Sequence, residues 1–104
     1  MLKNAKKTKI VCTLGPASQS EETLTKLIEN GLNVCRFNFS HGSHEEHKER
    51  MDIVKKVRDE LKKPVAILLD TKGPEIRTGN FADPEVFLEV GSKFLITMAD
   101  VIGN

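Results

Sequence analysis

In residues 34–40, Arg36, Asn38 and Ser40 alternate with Cys35, Phe37 and Phe39. Period-two alternation puts the two sets on opposite faces of a strand. A guanidinium, an amide and a hydroxyl then share one face, and α/β folds hold ligands at the C-terminal ends of their strands. An exposed sheet face is the plain alternative, set against neighbouring strands that read as fully apolar. Asp70 and Thr71 stand at the matching end of the next apolar run. An Asp, an Asn, a Ser and one or more carbonyls form an oxygen-rich set suited to a hard cation. A turn former or helix cap is the competing role for Asp70. Lys72 and Arg77 flank Gly73-Pro74-Glu75, and such cations suit phosphate, although either alone is ordinary surface charge. Helix starts after Gly15 and Gly42 would add backbone donors for an anion.

Other chemistries find no support. His44-Glu45-Glu46-His47 spaces its histidines by three, whereas the zinc-protease pattern needs four. With His41 they read as a solvated helix start. Gly-Lys-Ser/Thr does not occur, Gly15 is followed by Pro16 rather than by spaced glycines, and no nucleophile–base arrangement emerges from local spacing.

The elements that must position these residues form a strand–helix grammar. Residues 9–14 make a short apolar strand ending at Gly15-Pro16. Ser18 and Glu21 have capping-box spacing, and Leu24, Leu27 and Ile28 then recur at helical spacing until Asn30-Gly31. The alternating strand follows. Ser43 and Glu46 repeat the capping-box spacing, and Met51, Val54, Val57 and Leu61 share one helical face before Pro64. Residues 65–69 form a third apolar strand. Strands apolar on both faces and separated by single helices predict a parallel sheet with the three strands in chain order and right-handed crossovers. Near residue 77 the grammar changes. Residues 86–90 and 94–97 read as a β-hairpin around Gly91-Ser92-Lys93, in a β-rich unit unfinished at Asn104.

The chain of 104 residues is 38% hydrophobic and 30% charged, as expected of an ordinary soluble protein. A net charge of +1 gives no electrostatic case for nucleic acid or for an anionic membrane. Lys3, Lys6, Lys7 and Lys9 read as a solvated lead-in without aromatic partners. No apolar run approaches the roughly 20 residues that span a bilayer, and no signal-peptide core follows Met1. Cys12 and Cys35 lie inside apolar runs, which favours free thiols in a reduced cytoplasm over a disulfide.

The strings KIVCTLGPAS at 9–18, NVCRFNFSHG at 33–42 and LLDTKGPEIRTG at 68–79 resemble the first three signature blocks of pyruvate kinases. The resemblance implies an α/β fold: residues 1–76 as the first three units of a TIM-type β/α barrel, running into an inserted small β-barrel lid domain that begins at 77–104. It implies phosphoryl transfer between phosphoenolpyruvate and ADP in glycolysis, in the cytoplasm, by a homotetrameric parent enzyme. Arg36 is similar to the arginine that binds the transferring phosphoryl group. Asn38, Ser40, Asp70 and the Thr71 carbonyl match the potassium ligands. Asn38, His41 and Arg77 match positions on the nucleotide side. The catalytic lysine and the carboxylates that hold magnesium are expected later in the parent chain, so no catalytic residue is assigned in these 104 residues. The chain alone is then expected to be inactive. Its rival roles are a non-catalytic anion- or cation-binding module and a structural piece that self-associates through open sheet edges.

Overall fold

The computed structural model describes residues 5–104; Lys3 of the expected basic lead-in lies outside them. Two compact units divide at Gly73, Met1–Gly73 and Pro74–Asn104. The first contains β1 (Ile10–Thr13), a 3-10 turn (Pro16–Ser18), α1 (Glu21–Glu29), β2 (Leu32–Asn38), α2 (His44–Leu61) and β3 (Ala66–Asp70). The three strands form one sheet in the order β1-β2-β3, both pairs parallel. That is the expected order, with strand ends shifted by a residue or two.

The helix starts follow local hydrogen-bond chemistry. Ser43 caps α2 by accepting from the Glu46 N–H at 3.2 Å, while the Glu46 carboxylate accepts from the Ser43 N–H at 2.8 Å. That bond from the Ser43 backbone holds the Glu46 carboxyl below its ordinary pKa. The expected Ser18–Glu21 box does not form. Ser18 closes the 3-10 turn instead, with its Oγ accepting from the Gly15 N–H at 3.0 Å. Pro16 favours that tight turn, so α1 starts later and is capped by Ser20, whose Oγ accepts from the Thr23 N–H at 3.2 Å.

One core joins the helices to a single face of the sheet. Cys35 and Phe37 of β2 are fully buried against Leu24 and Ile28 of α1 and Val54 and Val57 of α2. The outer strands depart from the expected double burial. Val11 is 53% exposed and Leu68 40% exposed, because this core covers only the Cys35–Phe37 side. In register with Arg36 on the uncovered side are Thr13 and Leu68.

Cys12 and Cys35 are register partners on neighbouring strands, and both are free thiols. Burial, aided by Cys12 and opposed by Arg58, pushes the Cys35 thiol up to about 11.

In the second unit the expected hairpin is absent: residues 86–90 and 94–97 form no paired strands. A turn survives at Gly91, where the Ser92 N–H donates to the Glu89 carbonyl at 3.1 Å. Val90, Leu95 and Ile96 are largely exposed, and a ladder without a covered face is marginal in water. Pairing in this unit is a single parallel bridge between Phe81 and Gly103. A Cβ at position 103 would lie 2.5 Å from the Phe81 ring, so any larger residue there would force the ring to shift.

Two outcomes follow. Ser20→Ala should lower stability by about 1 kcal/mol in urea unfolding, whereas Ser18→Ala should leave α1 intact by circular dichroism. Because the Cys35 thiol titrates higher when folded, its contribution is complete below the ordinary thiol value of 9.0 and lost as pH rises toward about 11. A Cys35→Ala variant should lose that component of the alkaline decline in unfolding free energy.

Candidate functional site

The site forms at the C-terminal end of the sheet, on the face the helices leave uncovered. Phe37 must point into the core, so Arg36 and Asn38 turn the other way. Register sets Arg36 beside Thr13 of β1, and Asn38 beside Asp70 of β3. The Arg36 guanidinium spans all three strands. Its Nη1 donates to Thr13 Oγ1 at 2.9 Å, and its Nε and Nη2 both donate to Asp70 Oδ2, at 3.0 and 2.5 Å. Both bonds to the carboxylate land on one oxygen.

The loop after β2 is tied to the same carboxyl-terminal edge. The Phe39 N–H donates to the Asp70 carbonyl at 3.0 Å. Asn38 Oδ1 accepts from the Ser40 N–H at 3.1 Å, and the His41 N–H donates to the Asn38 carbonyl at 3.3 Å. Arg36, Asn38, Ser40 and Asp70 are thus drawn into one hydrogen-bonded neighbourhood, with Thr71 next in the chain after Asp70. His41 is exposed, and only its backbone is engaged. Lys72 is exposed as well. Arg77 belongs to the second unit and pairs there with Glu75, Nε to Oε2 at 2.8 Å.

The side-chain and carbonyl oxygens gathered at this edge include one carboxylate, which Arg36 engages through a single oxygen. Such a set fits a hard cation of low charge, and potassium is compatible with it. Among the described residues no three or more His, Cys, Asp or Glu side chains gather as a metal-binding group.

Two participants escaped the sequence reading. Thr13 was hidden inside an apolar run; its signal is the two-residue spacing from Val11 on the uncovered face. His47 was expected in solvent but is 3% exposed. Its signal is the spacing to Met51 and Val54, which continues the buried stripe of α2 by one turn. The ring stacks on Phe39, with centroids 4.4 Å apart.

A hollow of about 890 Å³ at the opposite end of the strands is lined by Lys6, Ile28, Leu32 and Val65. Lys6 donates there to the Gly31 carbonyl at 2.6 Å.

The family model for the pyruvate kinase barrel domain matches residues 5–104. The chain belongs to the pyruvate kinase family. It is 59% identical over 99 residues to a pyruvate kinase of Staphylococcus haemolyticus (strain JCSC1435), covering 95% of this chain and 17% of that protein. Pyruvate kinases of Staphylococcus aureus strains USA300 and NCTC 8325 / PS 47 are 61% identical over 99 residues, with the same 95% and 17% coverage. The chain therefore spans about 17% of the length of these pyruvate kinases. No helix among the described residues is long and apolar enough to cross a membrane.

With side chains 31% and 43% exposed, the Arg36–Asp70 pair belongs to the class of ion pairs that stabilise weakly. Arg36→Gln and Asp70→Asn should each change the unfolding free energy by no more than about 1 kcal/mol. A double-mutant cycle in urea checks this; a coupling well above that value would make the pair a structural clamp.

Proposed function

We propose that this chain forms one wall of a phosphoryl-transfer site in a pyruvate kinase, which acts on phosphoenolpyruvate and ADP to give pyruvate and ATP in glycolysis. Family membership supports the reaction. The observation that carries the site is the Arg36 guanidinium laid across the ends of all three strands, held by Thr13 and Asp70.

Arg36 binds and orients the phosphoryl group of phosphoenolpyruvate. Its planar fork matches phosphate oxygens, and its pairing with Asp70 fixes the direction in which it points. Potassium would be held by Asn38, Ser40, Asp70 and the Thr71 carbonyl, and supplies positive charge beside the oxygens of the transferring group. Asn38 and His41, and separately Arg77, are assigned to nucleotide binding on the family resemblance of their sequence blocks. Magnesium would be held by carboxylates elsewhere in the whole protein. Phosphoryl transfer depends on positioning and on electrostatic stabilisation, with little covalent work by the protein. Residues 1–76 are read as the opening units of the barrel and 77–104 as the start of the lid.

By itself the 104-residue chain should show no turnover in a coupled assay with phosphoenolpyruvate, ADP, magnesium and potassium. Loss of even one preorganised group typically costs about a hundredfold, and several are supplied elsewhere. In a full-length enzyme carrying this segment, Arg36→Ala should lower kcat/KM for phosphoenolpyruvate by about a hundredfold or more. Asp70→Ala should weaken potassium activation. Unaltered potassium dependence in Asp70→Ala would remove the cation assignment, and unaltered kcat/KM in Arg36→Ala would remove the phosphoryl one.

A further inference from the structure

We infer that His47 is a positioning residue that sets the turn following β2 and, through that turn, the affinity of the cation site; the inference rests on the cation-site reading above. The ring is buried at 3% exposure, stacked on Phe39 at 4.4 Å and edge-on to Phe37 at 6.3 Å. An apolar ring would pack equally well among such neighbours. The imidazole also carries a cost that an apolar ring avoids: Nδ1 is buried without a hydrogen-bond partner among the described residues. Packing alone therefore favours phenylalanine at this position.

What phenylalanine lacks is the ring N–H. His47 Nε2 lies 2.6 Å from the His41 carbonyl oxygen. A carbonyl can only accept, so Nε2 carries the proton and donates it. His41 is the residue after Ser40, and its own N–H closes back on the Asn38 carbonyl at 3.3 Å. Asn38 Oδ1 in turn holds the Ser40 N–H at 3.1 Å. The His47 bond thus anchors to α2 the turn that carries Asn38 and Ser40.

The same turn depends on a left-handed backbone at Gly42. Gly42 has φ +78, and a Cβ there would lie 3.4 Å from His47 Nε2 and 3.0 Å from Glu46 Oε2. His47 contributes no oxygen to the cation. It acts through the His41 carbonyl, by fixing where the oxygens before it stand.

The test uses a full-length enzyme carrying this segment, with potassium varied against choline at constant ionic strength. Potassium binding is read from the rise in melting temperature without substrates, and separately from activation of turnover. His47→Phe keeps the buried ring and removes the donor. It should weaken potassium about five- to tenfold by both readouts, with kcat at saturating potassium changed by less than about twofold. His47→Gln, which restores an N–H donor, should recover most of the affinity. Unchanged potassium binding in folded His47→Phe would overturn the inference, as would a fall in kcat with unchanged potassium affinity. If His47→Phe does not fold, Gly42→Ala tests the same turn from its other side, and unchanged potassium affinity there would overturn it too. A parent enzyme without potassium-dependent stabilisation, or an Asp70→Ala variant that binds potassium normally, would remove the cation-site reading and this inference with it. Weakened binding in Asp70→Ala beside unchanged binding in His47→Phe would remove this inference alone.

Discussion

Phe37 and Cys35 reach the helices only if Arg36 and Asn38 turn away from them. Every polar contact of the candidate site descends from that constraint. The core fixes which face of β2 is buried, and parallel register then decides the neighbours of the other face: Thr13 beside Arg36, and Asp70 beside Asn38. A slip of one residue would bury the guanidinium and expose the phenyl ring, so hydrophobic packing enforces the register on which the hydrogen bonds depend.

The charges built on this frame are loosely held by comparison. Arg36 and Asp70 are both partly open to water, and their pairing shares a single carboxylate oxygen. Such a pair orients a guanidinium without committing it. Partial exposure leaves both charges in contact with water, unlike a deeply buried pair, whose separation would strand a charge in the core.

Much of this was readable in advance because it depends on period. Alternation in residues 34–40 and the apolar runs on either side of it fixed the strands, their order and the opposition of Arg36 to Phe37. Where the reading failed, a neighbour outside the local pattern decided. Ser18 had the spacing of a cap, but Pro16 drew it into a tight turn and left the helix start to Ser20. His47 looked polar, yet aromatic stacking on Phe39 carried it inside. Residues 86–90 and 94–97 had the apolar runs of a hairpin around Gly91-Ser92-Lys93, yet much of that apolar surface stays exposed and apolar runs alone did not make a ladder. The register contacts of Arg36 could be anticipated from adjacency; the single-oxygen geometry of its bond to Asp70 depends on side-chain torsions that no spacing encodes.

Strand order along the sheet follows chain order, and this has a kinetic consequence. Thr13 and Arg36 are 23 residues apart, and Arg36 and Asp70 are 34. Each contact therefore closes across one intervening helix, with no need for a strand from far along the chain. Loop-closure entropy rises slowly with length, so pairings of this range are reached early relative to long-range ones. Each of the guanidinium's two partners is thus brought to it by closing one strand–helix–strand unit.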